Sequence, residues 1–349
     1  MQSLKTLYLE GLKFTEPQIS TLKTLGEYKG KQALFFHQTP EILNSLKQIA
    51  IIESSESSNR LEGITAPHKR IEGLIVKNTE PRNRSEQEIA GYRDALNLIH
   101  ESSIHMGFSI NVILQLHSML YRYMNINAGC WKLSENEIVE KNPDGTIKRV
   151  RFKPVSAFDT PRAMDELAKN YDTAINSNKE PAVILPLAIL DFLCIHPFSD
   201  GNGRVSRLLT LMMLYHFGYE VGRFISLERI FEESKETYYE TLEKSSFNWH
   251  EGKHDVMPWL NYFWGVMLRA YKEFEERVGE IRTGKGSKTE QIKQAVLRRI
   301  GPFSISDIEH DCAGISRDMV RLILRQLRDD NIIVPQGKGR GAKWIVVSK

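Results

Sequence analysis

His196-Pro197-Phe198-Ser199-Asp200-Gly201-Asn202-Gly203-Arg204-Val205-Ser206-Arg207 is the stretch that decides how this chain is read. It holds an imidazole, a carboxylate, two glycines around an amide, and two guanidiniums. His takes up a proton near neutral pH. An Asp oxygen suits a hard cation. Gly-Asn-Gly lets backbone N–H groups come close to an anion, and Arg grips phosphate oxygens with a planar fork. The surroundings are helical. Ala182 to Ile195 is almost wholly apolar and reads as a buried helix, which Pro197 stops near His196 because the residue before a proline avoids the helical region. The apolar run after Gly203 starts a second helix. The glycine turn therefore sits at a helix N-terminus, where free N–H groups and the helix dipole favour negative charge. Phe198 is expected to point inward and pin the loop. These residue types in this order suit chemistry at a nucleotide phosphate. A Walker-type G-x-x-x-x-G-K-[S/T] loop is absent from the chain.

The same stretch resembles the signature of the Fic family, H-x-F-x-[D/E]-G-N-G-R-x-x-R, at every fixed position. The resemblance implies a mainly α fold, namely a Fic helical core with a β-hairpin flap, that transfers AMP from ATP to a Ser, Thr or Tyr hydroxyl of a target protein. His196 would deprotonate that hydroxyl. Asp200 would bind Mg²⁺ bridging the α- and β-phosphates. Gly201, Asn202 and Gly203 would form the anion hole, Arg204 would hold the β-phosphate region and Arg207 the γ-phosphate. ATP is thus the expected substrate and Mg²⁺ the expected cofactor.

Far upstream, Ser58-Asn59-Arg60-Leu61-Glu62-Gly63 fits the family's inhibitory pattern, [S/T]-x-x-x-E-[G/N]. Ser58 and Glu62, four apart, share a helix face, and Gly63 suits a helix C-cap. The resemblance implies that Glu62 pairs with Arg207 and fills the space that the γ-phosphate needs.

Around these motifs the chain divides into an N-terminal helical region (1–80) with the inhibitory motif, a catalytic core (81–280) and a C-terminal module (287–349). Leu43, Leu46, Ile49 and Ile52 have helical spacing. Glu86 to Leu96 and Ile113 to Tyr123 read as helices, the first resembling the helix that opens many Fic cores. Apolar runs at Ile138-Val139 and Val150 to Phe152 flank Asn142-Pro143-Asp144-Gly145 and argue for a β-hairpin. In the family this is the flap, which pairs with an extended target segment by strand addition. Trp131-Lys132 stands where many members carry an Arg. Glu236 to Leu242 looks like the helix at the adenine pocket, where Tyr238 or Tyr239 would cover the base or pack the core. Trp259 to Phe274 is a long helix closing the core.

Arg282 to Ser287 reads as a polar linker. Beyond it come three helices, Lys288–Ile300, one starting at Ser304, and one capped by Ser316 and running to Asp330. Two strand-like runs follow, Ile332 to Pro335 and Lys343 to Val347, separated by Gly337 to Gly341. The order resembles a winged helix-turn-helix. Residues 285–349 carry 13 Lys and Arg against 7 Asp and Glu, and a helix with Arg317, Arg321, Arg325 and Arg328 suits DNA phosphates.

Composition bounds the rest. A chain of 349 residues with 41% hydrophobic and 26% charged residues is an ordinary globular protein of several domains. Three isolated cysteines form no disulfide framework and no zinc spacing. MQSLKTLYLEGLKF lacks an apolar signal-peptide core, and no apolar run reaches the roughly 18 residues of a membrane span, so the expectation is a cytoplasmic protein. The partners this reading admits are a target protein at the flap, the enzyme itself as target, DNA at the C-terminal module and a second copy in a homodimer. A membrane is not among them. Two other activities fit the same residues: hydrolytic removal of AMP with Glu62 orienting water, and a DNA-binding regulator that uses the core only to sense nucleotide.

Overall fold

A computed structural model describes the chain apart from residues 1, 37–39, 142, 143, 145, 284–286, 298, 300, 313, 314, 337–342 and 348–349. Its contacts gather Met1–Phe274 into one compact unit and Glu275–Lys349 into a second. In order, the first unit runs α1 (Thr6–Glu10), α2 (Glu16–Phe36), α3 (Pro40–Leu61), α4 (His68–Val76), α5 (Arg84–Ser102), α6 (Ile110–Leu120), the strands β1 (Ile138–Lys141) and β2 (Ile147–Phe152), α7 (Thr160–Asn176), α8 (Pro181–Ile195), α9 (Asn202–His216), α10 (Leu227–Glu233) and α11 (Lys235–Ser246). α12 (Met257–Thr283) runs across the division. The sequence boundary expected at residue 80 falls inside the first unit, where α3 packs on α5 and α10.

α8 is the axis of this unit. Pro181 opens it at a position where a missing N–H is harmless, and the Glu180 side chain accepts from the Ala182 N–H. Of its residues only Pro181 and Leu193 are not buried, as expected of a helix that is apolar all round. α7 and α9 flank it. Trp259 and Trp264 of α12 donate their indole N–H groups to the carbonyls of Pro186 and Ala182 (2.7 and 2.8 Å). One carboxylate lies in this apolar mass. Asp191 accepts from the Ser3 hydroxyl (2.5 Å) and the Trp249 indole (2.6 Å), and burial pushes its carboxyl pKa up.

The crossing of α5 and α6 depends on Gly91. A Cβ there would lie 2.1 Å from the Leu120 carbonyl oxygen, so only a hydrogen lets the two backbones meet. α6 begins at Ile110, capped by Ser109, and ends at Leu120, three residues earlier at each end than the apolar run suggested. β1 and β2 pair antiparallel, with register shifts between Ile138 and Val139 and between Glu140 and Lys141. Within the expected turn, Asn142, Pro143 and Gly145 lie outside the described residues. The Asp144 carboxylate accepts from the Thr146 N–H and hydroxyl (2.9 and 2.6 Å), as an Asx turn does.

The second unit contains α13 (Ser287–Leu297), α14 (Ile305–Asp311), α15 (Arg317–Asp329), β3 (Ile333–Gln336) and β4 (Lys343–Val346). Of the expected linker, residues 284–286 lie outside the described residues. The segment expected between the strands, Gly337 to Gly341, lies outside them too. Ser304 and Asp307 form a reciprocal capping box at the start of α14. Val320, Ile323, Leu324 and Leu327, spaced for one face of α15, are buried with Ile292, Val296, Phe303, Ile308 and Ile333. β3 and β4 pair antiparallel.

Candidate active site

α8 ends at Ile195, and the next residue, His196, takes the left-handed conformation (φ 52°, ψ 61°). That conformation is unfavourable for a residue with a Cβ by roughly 1–2 kcal/mol. It turns the chain off the helix and sets the imidazole against the cavity described below. His196 Nδ1 is buried and has no partner at hydrogen-bonding geometry. Burial, with the Lys132 ammonium nearby, pulls the imidazole pKa down to about 4, against opposing effects of the Leu193 carbonyl, Glu62 and Asp200. The ring is therefore neutral, able to accept a proton, throughout the neutral range.

The loop after His196 is held from within and from outside. Phe198 is fully buried. Its N–H donates to Asn202 Oδ1 (2.9 Å) and its carbonyl accepts from Asn202 Nδ2 (2.7 Å), so the Asn202 side chain closes the turn rather than reaching outward. His117 of α6 stacks on the Phe198 ring, with centroids 3.8 Å apart and planes 3° from parallel. The Gly129 N–H donates to His117 Nδ1 (2.9 Å), which leaves Nε2 as the donor to the Asp200 carbonyl (3.1 Å). These bonds fix the neutral tautomer, and burial lowers its pKa to about 4. Nothing in the local sequence singled out His117. Its role arises from long-range contact.

Gly201 (φ +83°) precedes α9, and the turn delivers the first N–H groups of α9 to the same place. The Asp200 carboxylate accepts from the Gly201 N–H (2.6 Å) through Oδ1. Its side chain is 65% exposed, with Oδ2 3.7 Å from Arg204 Nη2. An exposed carboxylate with one oxygen not so engaged fits a Mg²⁺ ion that takes its remaining ligands from phosphate and water.

The two arginines of the signature have different surroundings. Arg204 is fully buried and paired with Glu88 of α5 (2.5 Å), and it donates to the Tyr121 hydroxyl (2.7 Å). It does not line the cavity. Arg207 does. Its Nε donates to Ser58 Oγ, and its Nη2 donates to the Ser58 carbonyl and to Glu62 Oε1, each at 2.8 Å. Nη1 is buried without a partner. Burial opposes the charge of Arg207, but Glu62 and its neighbours hold its pKa above the ordinary arginine value.

Glu62 follows the last residue of α3. The Glu62 and Ile64 N–H groups both donate to the Asn59 carbonyl (3.0 Å), and Gly63 turns left-handed (φ +78°), the usual way for a helix to end on glycine. Gly203 is the counterpart across the site. A Cβ at Gly203 would lie 2.2 Å from Glu62 Oε1, so the missing side chain is what lets the carboxylate lie over the first turn of α9.

These groups border a cavity of about 220 Å³. His196, Gly203, Arg207 and Glu62 are among the residues that line it. Tyr238, Tyr239 and Leu242 of α11 and Ile138, Arg151 and Phe152 of the hairpin line it too, with Tyr238 and Tyr239 close enough to Glu62 and Arg207 to feel their charges. Tyr238 is buried and Tyr239 partly exposed, and both line the cavity. Ser58 and Gly63 stand behind Glu62.

A family model described as Fic/DOC family matches residues 107–214. The chain is similar to protein adenylyltransferase Fic of Nematostella vectensis, 24% identical over 222 residues that cover 59% of this chain and 44% of that protein. It is 30% identical over 98 residues to protein adenylyltransferase and cysteine protease IbpA of Histophilus somni (strain 2336), covering 24% of this chain and 2% of that one. The chain thus spans less than half the length of these curated relatives. Among solved structures, a Fic family protein from Desulfovibrio desulfuricans G20 superposes with a TM-score of 0.62 at 16% identity, covering 97% of this chain and 98% of that one. A Fic domain containing signaling protein from Bacteroides thetaiotaomicron VPI-5482 gives 0.62 at 20% identity, covering 74% and 97%. No described helix is long and apolar enough to cross a membrane. With the complete signature folded as a helix end, a glycine turn and a helix start, and with this shared fold around it, the chain carries a Fic domain over residues 107–214.

Proposed function

We propose that this protein transfers AMP from ATP to a hydroxyl side chain of a target protein, and that Glu62 restrains the reaction by occupying Arg207. The observation that carries the proposal is the convergence of a neutral, largely desolvated imidazole, a glycine turn opening α9 and a cavity-lining arginine on one cavity. The imidazole of His196 takes the proton of the incoming hydroxyl as its oxygen bonds to the α-phosphorus. The bond from the α-phosphorus to the bridging oxygen of the β-phosphate breaks, and pyrophosphate leaves with the electron pair. Charge accumulates toward the β-phosphate, where the first N–H groups of α9 and its dipole stabilise it. Mg²⁺ held by Asp200 would add charge neutralisation on the phosphates.

Arg204 has a part different from the direct phosphate grip implied by the signature. Buried against Glu88 and the Tyr121 hydroxyl, it supports the turn from behind. Arg207 is the guanidinium facing the nucleotide, and Glu62 now holds the place beside it that a γ-phosphate would fill. The hairpin supports strand addition by a target: among the described residues β1 and β2 form a sheet of two strands with no third strand on its outer edges, and Ile147 and Val150 expose their side chains. The C-terminal unit, read as a winged helix, is proposed to meet DNA phosphates through α15.

The test is labelling of the full chain and its targets from ATP carrying the label on the α-phosphate. Label in the Glu62→Gly protein that disappears in Glu62→Gly/His196→Ala supports the reading. Equal label in both removes His196 from the chemistry.

A further inference from the structure

One short segment ahead of the hairpin holds the whole backbone around His196. The Lys132 ammonium donates to the Ile195 carbonyl (3.3 Å) and the Lys132 N–H to the Pro197 carbonyl (2.8 Å). Asn136 Nδ2 donates to the Phe198 carbonyl (3.1 Å) and reaches the His196 carbonyl at 3.5 Å. Lys132 Nζ also donates to Asn136 Oδ1 (2.7 Å), which ties the two side chains together. Four consecutive carbonyls, from Ile195 to Phe198, thus face donors from residues 132 and 136.

This matters because of where the four carbonyls lie. The last carbonyls of a helix have no partners within it. A residue with a Cβ stays in the left-handed region only when its surroundings over-determine it. His196 is such a residue, at φ 52°. Phe198 and Asn202 fix the far side of the loop, but among the described residues the carbonyl bonds on either side of His196 come from Lys132 and Asn136. Lys132 is 2% exposed, and burial pushes its pKa down to about 8 against the pull of Glu135. A lysine kept this deep needs acceptors for its donors, and Asn136 Oδ1 and the Ile195 carbonyl take two of the three.

We propose that Lys132 and Asn136 are positioning residues of the transfer reaction, which clamp the peptide groups around His196 so that its imidazole keeps the left-handed placement it needs to reach the incoming hydroxyl. The proposal rests on the reading of His196 as the base. It assigns the two residues no contact with nucleotide: neither lines the cavity. Because the clamp leads within two residues into β1, a strand added to the hairpin bears on the same segment that holds the base.

The test uses the full chain carrying Glu62→Gly, with Lys132→Met or Asn136→Ala added. Each addition is expected to lower the single-turnover labelling rate tenfold or more while the Kd for α-labelled ATP stays within twofold. The charges facing the His196 ring are Lys132 from the clamp, Glu62 from α3 and Asp200 from its own loop. Lys132→Met therefore also moves the acid limb of the rate to higher pH, since the lost cation had favoured the neutral ring, whereas Asn136→Ala leaves that limb in place. A labelling rate unchanged in Asn136→Ala, or a loss of ATP affinity matching the loss of rate, overturns the proposal. If Lys132→Met loses its cooperative thermal unfolding, Asn136→Ala, at a partly exposed site, decides alone. His196→Ala in the same series keeps the two readings apart: full labelling there defeats the base assignment, whereas a dead His196→Ala beside a fully active Asn136→Ala defeats the clamp alone.

Discussion

Replacing Glu62 by Gly is the most informative single change. It removes the carboxylate that Arg207 Nη2 meets at 2.8 Å and empties the space over Gly203, where Oε1 lies 2.2 Å from the position of a Cβ. Breaking a fully buried ion pair by deleting one partner costs about 3–5 kcal/mol. This pair is less enclosed: the Glu62 side chain is 31% exposed. Arg207 also keeps both bonds to Ser58. Discounting for solvent screening, the pair is worth about 1.5–3 kcal/mol. That same amount becomes available to a γ-phosphate once the carboxylate is gone. At about 1.4 kcal/mol per factor of ten, productive binding of ATP rises roughly tenfold to a hundredfold. The assay is initial-rate labelling from α-labelled ATP, in wild type, Glu62→Gly, Glu62→Gln and Glu62→Gly/Arg207→Ala. Labelling is expected to rise tenfold or more in Glu62→Gly and to fall back in the double variant. Glu62→Gln keeps the volume without the charge and is expected to lie between wild type and Gly. Equal labelling by wild type and Glu62→Gly would refute the reasoning, because Arg207 would then be equally available with and without its partner.

His196→Ala is expected to lower transfer by about 10²-fold or more, the usual worth of a positioned base, with ATP affinity measured by equilibrium binding unchanged. Gly91→Ala is expected to destabilise the fold by about 1–3 kcal/mol, read as a lowered urea midpoint, since the new Cβ meets the Leu120 backbone rather than a movable side chain; an unchanged midpoint counts against the tight α5–α6 crossing. His117 and His254 are buried and His196 is partly exposed, and desolvation holds all three near pKa 4, below the unfolded value of about 6.5. The unfolded chain therefore binds more protons as pH falls, and stability is expected to drop between about pH 6.5 and 4; a melting temperature constant from pH 7 to 5 contradicts that. Truncation after Gly284 is expected to leave labelling intact, and any DNA binding by the full chain should fall steeply with salt and weaken on charge reversal at Arg321 and Arg325, as read by gel shift.

The parts of the site legible in the sequence are those written in local residue order. Pro197 stopping a helix, the glycine turn leading into the next helix and Gly63 ending another are each set by backbone preferences of the residue itself, although that next helix starts at Asn202, two residues before the run after Gly203 suggested. Ser304 and Ser316 marked helix starts for the same reason. The hairpin was visible because its apolar runs flank a turn sequence. What sequence order does not encode is which distant group meets a buried charge. Glu88 precedes its partner Arg204 by 116 residues, and as one Glu of a charged helix it looks solvated. His117 sits on a helix whose pattern needed only an inward-facing residue there. Lys132 registered merely as a departure from a common arginine, although its ammonium meets a carbonyl 63 residues further on. The pairing of Glu62 with Arg207 is equally remote, and only the resemblance to a known motif brought it into view; the bonds from Arg207 to Ser58 came from the structure alone.

If Glu62 restrains transfer as proposed, the attachment of α3 bears on how that restraint lifts. Ser54 donates to the buried Glu228 (2.7 Å), which also accepts from the Tyr92 hydroxyl (2.9 Å). Arg60 pairs with Glu232 (3.0 Å) and Arg229 with Glu53 (3.1 Å). Peeling this helix from α10 would strip the Ser54, Arg60 and Glu53 contacts at once and leave the carboxyl of Glu228 with the Tyr92 hydroxyl but without Ser54. A swing of the Glu62 side chain about its own torsions breaks one ion pair and nothing else. Opening is therefore a side-chain event, and rotamer exchange takes roughly picoseconds to nanoseconds, whereas local unfolding takes microseconds or longer. With about 1.5–3 kcal/mol holding the pair, a fraction on the order of one to ten per cent of molecules stands open at any instant. If Glu62 restrains transfer as proposed, the resting protein is a mixture in rapid exchange rather than a locked form, with a basal rate set by the torsional population of a single carboxylate.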